Sequence, residues 1–196
     1  MIWQAKYSKD IYFLLIFLYF SHFQWSQNIF VTEKECFMDL KTYSSDLHYP
    51  TLQVEKNLHD SKILMPVYGG VQGEITAVMT YTYQHFVAED EALKEMLEGV
   101  SIAEMKHVDL LGNAITALGG YPVIGGRAYW SGSYVNYTLD PKRFLRQNIL
   151  AEENAILGYE RAILNLSQDS VKNLIERIIL DEEIHVKLFK EFLSSI

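Results

Sequence analysis

The sequence predicts an all-α protein, a four-helix bundle made of two antiparallel helical hairpins that a long crossover connects. Three observations lead to this prediction. From about residue 60 onward, four long segments carry apolar residues at spacings of three and four, as amphipathic helices around a shared core do. No segment alternates apolar and polar residues over the length of a sheet strand. Only a few residues separate the first predicted helix from the second and the third from the fourth, whereas about twenty separate the second from the third.

The boundaries of the first hairpin are clear except for the start of its first helix. The first predicted helix runs from the mid-60s to Val87, and Pro66 lies near its start. Three glycines, which are unfavourable inside helices, obscure the same start: Gly69, Gly70 and Gly73. The second helix begins near Asp90, a suitable N-cap, and ends at the Gly119-Gly120 pair.

The second hairpin begins at Asp140-Pro141, a cap followed by a proline in the first turn of the third helix. The fourth helix starts around Asp169 and continues nearly to Ile196. Residues 120–139 form the crossover, and at roughly 3.3 Å per residue they can span about 65 Å. A helix of about 25 residues is only about 38 Å long. The crossover can therefore run the whole length of the bundle.

Composition limits the classes of function. A chain of 196 residues suits one domain with its own core. Asp and Glu outnumber Lys and Arg by 25 to 17, and the net charge of −8 comes without a basic patch, so we expect no nucleic-acid partner. The single cysteine, Cys36, excludes an internal disulfide, a CxxC pair and a four-cysteine metal site. A reducing, cytoplasmic location fits this cysteine usage.

We divide the chain into an N-terminal extension, residues 1–37, a lead-in segment, residues 38–60, and the bundle, residues 61–196. Within the extension, residues 11–20 are continuously apolar and resemble the hydrophobic region of a signal peptide, although no small-x-small cleavage site follows. They are too short to span a bilayer comfortably. Three interpretations compete: an upstream extension with Met38 as the natural start, a targeting or anchoring segment, and a tail packed on the bundle.

Two Glu-x-x-His motifs carry the chemistry. One lies on the second predicted helix, as Glu104 and His107, and the other on the fourth, as Glu182 and His185. A spacing of three residues puts both side chains on one helix face, where they can reach the same metal ion. A single motif of this kind is weak evidence, because composition alone produces it often.

The register of other residues strengthens the motifs. Glu74 precedes Glu104 by 30 positions, and Glu152 precedes Glu182 by 30. Tyrosines follow the first glutamate of each half by seven positions, as Tyr81 and Tyr159. Every one of these residues reaches its counterpart by the same shift of 78 positions. This register indicates an internal duplication whose halves are related by a pseudo-two-fold axis.

The predicted apolar faces turn these carboxylates towards the core. In helix order, the inward positions are Val71, Glu74, Val78, Tyr81; Leu97, Val100, Glu104, His107, Leu111; Phe144, Glu152, Ala155, Tyr159; and Val171, Leu174, Ile178, Glu182, His185, Phe189, Phe192. Burying one unpaired carboxylate costs several kcal/mol, and no Lys or Arg lies on these faces. Two divalent cations would balance the four negative charges. The sequence therefore predicts a site for two Fe or two Mn ions with six ligands: Glu74, Glu104, His107, Glu152, Glu182 and His185.

Residues 60–196 resemble the ferritin-like superfamily, which contains bacterioferritins, rubrerythrins and manganese catalases. The resemblance lies in the stretches GEITAVMTY, EMKHVDLLGNAITALGG, AEENAILGY and DEEIH, which are similar to the family's ligand motifs. It implies bridging roles for Glu104 and Glu182 and terminal roles for Glu74 and Glu152. It also implies one histidine for each metal ion.

The resemblance implies redox chemistry on peroxide or dioxygen, of the rubrerythrin-like peroxidase or oxidase type or of the manganese catalase type. Because one cysteine cannot build a rubredoxin module, a peroxidase would need an external electron donor. Two alternatives stay open. One is a ferroxidase and iron-storage protein of the bacterioferritin type, and the other is a structural, coat-type assembly protein with a vestigial metal site. Each of these implies a homo-oligomer.

Four further residues have predicted roles. Tyr81 and Tyr159 are candidate catalytic residues that could donate to a carboxylate or to bound peroxide, with core aromatics as the competing interpretation. Met105 resembles the methionine that ligates haem between bacterioferritin subunits, although a solvent-side methionine is the simpler interpretation. Asp181 could accept a hydrogen bond from the outer nitrogen of His107 and so fix its tautomer. Ala103 occupies the matching place on the second helix, so the two halves would differ.

Overall fold

A computed structural model of the protein describes residues 42–125 and 129–196. The interpretations of residues 1–37, including the apolar stretch 11–20, lie outside these residues. The described residues form five α-helices and a 3₁₀ turn at Gly132–Tyr134, and none of them lies in a strand. The helices are α1 (Leu58–Gly69), α2 (Glu74–Val87), α3 (Glu91–Ala117), α4 (Pro141–Asn165) and α5 (Asp169–Ser195). The all-α prediction is confirmed.

The helices pack as two hairpins, α2 with α3 and α4 with α5. Residues 88–90 join the first pair and residues 166–168 join the second, so each pair must run antiparallel. The predicted caps are present. The Asp90 carboxylate accepts from the backbone N–H of Leu93 at 2.8 Å, and the Asp140 carboxylate accepts from that of Arg143 at 3.3 Å. The long connection between α3 and α4 is the predicted crossover.

The start of the first predicted helix was placed wrongly. The segment forms two helices, α1 and α2, which an extended turn at residues 70–73 separates. A Cβ atom at Gly70 would overlap the carbonyl oxygen of Pro66, so this tight turn requires glycine there. Val71, expected on the inward face, lies in the turn and is 56% exposed. Helix α1 begins at Leu58, inside the segment that we assigned to the lead-in, and Asn57 caps it.

The apolar core consists of two clusters along the bundle. One surrounds Leu64, Leu111 and Leu174, and the other surrounds Leu97 and Phe189. On α3 and on α5, the Glu-x-x-His motif lies between the two clusters. The fold therefore holds the polar residues at mid-bundle with apolar packing on both sides.

None of the helices in the described ranges combines the length and the apolar character that crossing a lipid bilayer would require.

Candidate metal centre

The six predicted ligands meet in the middle of the bundle. Each of the four bundle helices contributes: α2 and α4 supply one glutamate each, and α3 and α5 supply one Glu-x-x-His motif each. All six side chains are buried, and none is more than 3% exposed: Glu74, Glu104, His107, Glu152, Glu182 and His185. The residues that the 78-residue register relates in the sequence thus lie together in one cluster.

The cluster divides into two sets of four residues. Glu74, Glu104, His107 and Glu182 form the first set, which we call the His107 half-site. The second set, the His185 half-site, contains Glu104, Glu152, Glu182 and His185. Within each set, one nitrogen or oxygen atom of every residue lies within 4.8 Å of the others. Glu104 and Glu182 belong to both half-sites, so their carboxylates stand where they can bridge two ions.

The imidazole of His107 directs Nδ1 at the glutamates. This nitrogen lies 3.0 Å from Glu104 Oε2, 3.1 Å from Glu182 Oε1 and 3.6 Å from Glu74 Oε2. One N–H cannot donate to three carboxylates, but one lone pair can bind an ion that all three share. The other nitrogen, Nε2, lies 3.1 Å from Asp181 Oδ2, as the sequence predicted. Hydrogen bonds from His107 and Tyr49 hold the pKa of Asp181 at about 2 in spite of its burial. Asp181 is therefore ionised and keeps the proton of neutral His107 on Nε2.

His185 reaches the same tautomer through a different partner. Its Nε2 lies 2.9 Å from the backbone carbonyl oxygen of Tyr43, which can only accept a hydrogen bond. Its Nδ1 lies 3.0 Å from Glu104 Oε1 and 3.2 Å from Glu182 Oε2. The difference follows from Ala103, which stands on α3 where α5 has Asp181.

The electrostatics of the cluster require extra positive charge. Burial, and then the charges of Glu104 and Glu182, raise the pKa of Glu74 and the pKa of Glu152 well above the ordinary value. Burial alone would lower the pKa of His185, but the Glu104 carboxylate beside it raises that pKa well above its ordinary value. In the absence of a cation, protons on these groups take over the charge balance. A divalent ion can replace such protons.

Two buried carboxylate oxygens have no hydrogen-bond donor among the described residues, which is what a cation site requires. Glu104 Oε1 and Glu182 Oε1 are buried and make no hydrogen bond to the described residues, although each lies close to a histidine Nδ1. No Lys or Arg among the described residues forms an ion pair with any of the four glutamates. A buried basic residue does occur, but Arg177 pairs with Asp181 instead. Carboxylate and imidazole donors with spare lone pairs suit iron and manganese.

The two predicted tyrosines are both buried but have different partners. The Tyr81 hydroxyl donates to Glu152 Oε1, across the bundle from α2 to α4. The Tyr159 hydroxyl has no hydrogen-bond partner among the described residues. The duplication therefore preserves the side chains and not their hydrogen bonds.

Two clefts reach the cluster beside α2 and α4. One has a volume of about 540 Å³, and Glu74 and Tyr159 are among its lining residues. The other has a volume of about 360 Å³ and is lined by Glu74, Tyr81 and Glu152, among others. Glu74 and Glu152 thus line the clefts, whereas His107 and His185 line neither and contact Asp181 and Tyr43 instead. Small molecules can approach from the glutamate side. Met105, the haem candidate, lies outside this cluster and is 49% exposed.

The lead-in segment makes one group of contacts that the sequence did not predict. Tyr43, Ser45 and Tyr49 bond to His185 or to Asp181. Sequence periodicity carries no signal for such contacts, because they connect residues more than 130 positions apart. A local signal existed only for Arg177, which precedes Asp181 by one helical turn.

Comparisons with known proteins agree with this geometry. The sequence pattern of the family described as "Manganese containing catalase" matches residues 42–120. A probable manganese catalase of Clostridium acetobutylicum is 28% identical over 151 residues, covering 65% of this chain and 67% of that protein. Protein CotJC of Bacillus subtilis is 25% identical over 173 residues, covering 76% of this chain and 90% of its own.

Solved structures extend the comparison. The manganese catalase KatB of Anabaena PCC7120 superposes with a TM-score of 0.67 at 25% identity, covering 74% of this chain and 76% of KatB. A bacterioferritin of Rhodobacter capsulatus superposes with a TM-score of 0.60 at 25% identity, and the match covers 72% of this chain and 88% of the bacterioferritin chain. The fold, the six clustered residues and these relatives together confirm the resemblance to the ferritin-like superfamily that the sequence shows.

Proposed function

We propose that the chain binds two manganese ions, with iron as the alternative occupant, and converts hydrogen peroxide to water and dioxygen. The observation that carries the proposal is the pair of half-sites that share Glu104 and Glu182. The names of two relatives, a probable manganese catalase and the manganese catalase KatB, support the choice of reaction. In this reaction, one peroxide loses two electrons and two protons, and a second peroxide gains them to form two water molecules.

The six residues have distinct roles in this proposal. Glu104 and Glu182 would be shared by both ions, Glu74 and Glu152 would each hold one ion from the cleft side, and His107 and His185 would each hold one through Nδ1. When bound, the two ions supply the capacity to accept two electrons and return them. The apolar clusters on both sides of the centre keep bulk water out of it.

Tyr81 and Tyr159 have different roles in this proposal. The Tyr159 hydroxyl is buried and free of partners among the described residues, and Tyr159 and Glu74 both line the larger of the two clefts, so we assign this hydroxyl to donate a hydrogen bond to an oxygen of peroxide. The Tyr81 hydroxyl already donates to Glu152 Oε1 and so orients that carboxylate towards the ions. We therefore assign Tyr159 to the substrate and Tyr81 to a ligand.

Oxygen release from peroxide tests the reaction directly. Purified full-length protein loaded with Mn²⁺, and separately with Fe²⁺, is mixed with hydrogen peroxide in a closed oxygen-electrode cell without a reductant. A catalase releases one dioxygen for every two peroxides consumed. Peroxide consumption that begins only when an electron donor is added identifies a peroxidase instead. Two bound ions without any peroxide consumption would overturn the proposed reaction and leave the metal site standing.

A ferroxidase with an iron-storage role is the second candidate, because the fold also matches a bacterioferritin. A storage protein must enclose a mineral, and a monomer or dimer cannot do so. Adding Fe²⁺ in air, followed by size-exclusion chromatography with light scattering, separates the candidates. A particle of many subunits that elutes with a ferric core supports storage, whereas a small oligomer without mineral excludes it.

A further inference from the structure

Residues 43–49, which we call the N-terminal strap, contact the centre from outside the four-helix bundle. The backbone carbonyl of Tyr43 accepts the hydrogen bond from His185 Nε2 at 2.9 Å. The strap reaches His107 through Asp181, whose carboxylate accepts from His107 Nε2. The outer nitrogen of each imidazole is thus connected to the same short segment, directly in one half-site and through one carboxylate in the other.

Asp181 receives four donors, and two of them belong to the strap. Its Oδ1 accepts from the backbone N–H of Ser45 at 2.6 Å and from Arg177 Nη1 at 2.7 Å. Its Oδ2 accepts from the Tyr49 hydroxyl at 2.5 Å and from His107 Nε2 at 3.1 Å. Two donors on each oxygen fix the orientation of the carboxylate, and the carboxylate fixes the plane of the His107 ring.

A buried arginine holds the strap against α5. Arg177 is 6% exposed and donates through Nε to the carbonyl of Leu47 and through Nη2 to the carbonyl of Ser45 at 2.7 Å. Its guanidinium carbon lies 4.3 Å from the centre of the Tyr49 ring, within the range of a cation–π contact. If the strap left, this buried cation would lose three of its contacts. The strap is therefore coupled to the bundle and does not merely cover it.

A glycine on α3 makes room for the other end of the strap. The Tyr43 ring lies directly against the backbone at Gly99, where an added Cβ would overlap ring atoms. Tyr43 is buried and belongs to the apolar cluster around Leu97. Glycine weakens a helix interior by roughly 1 kcal/mol relative to alanine, so its presence there calls for a packing reason. The close approach of Tyr43 supplies that reason.

We propose that the N-terminal strap is a positioning element for both histidine ligands, and that the two half-sites depend on different strap contacts. The His185 half-site depends on the Tyr43 carbonyl, and the His107 half-site depends on the Ser45 and Tyr49 donors to Asp181. The inference rests on the proposed metal-binding function. Hydrogen bonds to the outer nitrogen of a ligating histidine are commonly worth about 10- to 100-fold in metal affinity.

The main test replaces Gly99 by alanine. Gly99→Ala displaces the Tyr43 ring and with it the carbonyl that holds His185. Gly112→Ala is the matched control, because it adds the same methyl group to the same helix, where the nearest atom, in Tyr68, is 3.6 Å away and in ordinary contact. We expect Gly99→Ala to weaken one of two Mn²⁺ sites by about 10- to 100-fold. We expect Gly112→Ala to bind both ions as the parent does.

Two readouts follow the change without an activity assay. Equilibrium dialysis against buffered Mn²⁺ gives the stoichiometry, and electron paramagnetic resonance distinguishes a coupled ion pair from a single ion. We expect Gly99→Ala at limiting Mn²⁺ to give the single-ion signal. Nuclear magnetic resonance of the metal-free protein detects the ring Nε2 protons, and we expect only that of His185 to exchange faster. Unchanged Mn²⁺ binding by Gly99→Ala, or equal loss of both ions, overturns the inference.

Tyr49→Phe tests the other half-site with a smaller disturbance. It removes one donor to Asp181 and keeps the ring beside Arg177. Tyr83→Phe is its control, because the only hydrogen bond of that hydroxyl to the described residues is a long surface contact of 3.4 Å to the Tyr137 carbonyl. We expect Tyr49→Phe to weaken the ion of the His107 half-site and to speed exchange of the His107 ring proton. If Gly99→Ala fails to fold, Tyr49→Phe alone tests the inference. Unchanged Mn²⁺ binding by Tyr49→Phe then overturns it.

The ring protons also separate this inference from the proposed function. If the parent protein binds neither Mn²⁺ nor Fe²⁺, the proposed function fails. The strap still positions the imidazoles if the His185 ring proton responds to Gly99→Ala and not to Gly112→Ala. If the parent binds two ions and neither ring proton responds, the function stands and the strap has no positioning role.

Discussion

The two half-sites contain equivalent ligands in unlike surroundings. His107 is held by an ionised carboxylate that four donors surround, whereas His185 is held by a neutral backbone carbonyl. The Tyr81 hydroxyl is bonded to Glu152, whereas the Tyr159 hydroxyl is free of partners among the described residues. The two halves share the predicted ligand residues and differ in the groups around them. We therefore expect two ions of different affinity, with substrate approaching on the Tyr159 side.

The largest expected effect comes from a shared ligand. Glu104→Gln keeps the shape of the side chain and removes a charge that both half-sites use, so we expect loss of both ions and of all peroxide turnover. Glu153→Gln is the control, because Glu153 is half-buried, lies outside the cluster and pairs only with Lys190 among the described residues. Metal analysis after gel filtration measures the outcome. A Glu104→Gln protein that retains two ions would show that Glu104 does not bridge them.

The tyrosine pair gives the next largest effect. We expect Tyr159→Phe to lower peroxide turnover by about 10²-fold, the lower end of what a positioned proton donor contributes, with almost unchanged stability. We expect Tyr81→Phe to lower the free energy of unfolding by roughly 1–2 kcal/mol, because it leaves a buried Glu152 oxygen without its donor. Turnover and chemical denaturation are measured on the same metal-loaded samples. Equal behaviour of the two variants would contradict the division of roles.

A change at Asp181 tests whether His107 and His185 depend on different hydrogen-bond partners. Asp181→Asn removes the charge that fixes the His107 tautomer, and we expect the His107 half-site to lose about tenfold in Mn²⁺ affinity while the His185 half-site changes little. Asp109→Asn, an exposed change on α3, serves as the control. Stepwise titration with Mn²⁺ measures the affinity of each half-site. Equal weakening of the two steps would mean that the half-sites are not independently supported.

The smallest expected effect is a dependence of stability on pH that metal binding removes. In the metal-free protein, burial and neighbouring carboxylates raise the pKa of Glu74 and Glu152, and neighbouring carboxylates outweigh burial to raise the pKa of His107 and His185. Each of these groups holds its proton to higher pH when folded than when unfolded. The stabilisation is therefore present at low pH and is lost as pH rises above the unfolded values, about 4.5 for the glutamates and 6.5 for the histidines.

Thermal melts with a chelator and with Mn²⁺ test this sign. We expect the Tm of the metal-free protein to fall by a few degrees between about pH 5.5 and pH 8, and the Tm of the Mn²⁺-loaded protein to fall less or to rise. Bound cations have already displaced the protons in the loaded form. A metal-free Tm that rises across this range would mean that the cluster does not hold extra protons.

Some features of this molecule were predictable from local patterns, and others depend on contacts between distant segments. Helical periodicity and the caps at Asp90 and Asp140 predict most helix boundaries, and the 78-residue register predicts which six side chains meet. Roles that depend on bound ions stay predictions. The break at residues 70–73 was not predicted, because Pro66 and the three nearby glycines indicate a disturbed helix without showing where a turn lies.

The N-terminal strap illustrates the second kind of feature. The backbone carbonyl of Tyr43 and the backbone N–H of Ser45 supply two of its contacts to the centre, and the main chain is the same in every residue type. No residue pattern can indicate such contacts. Gly99 was the available signal, a buried glycine inside a helix, but it identifies a close neighbour without saying which segment provides it.

The position of the centre between two apolar clusters has a consequence for how the molecule opens. Isolated helices usually loosen from their ends, where hydrogen bonds are fewest. Here the ends of the bundle are packed with leucine and phenylalanine, and mutual repulsion among acidic groups is concentrated at its waist. When these groups have lost their extra protons and no cation is bound, we expect the middle turns of α3 and α5 to be the weakest part of the bundle, with amide hydrogens that exchange sooner than those nearer the tips. If two ions bind as proposed, we expect them to stabilise the middle of the bundle, so that their removal loosens the middle before the ends.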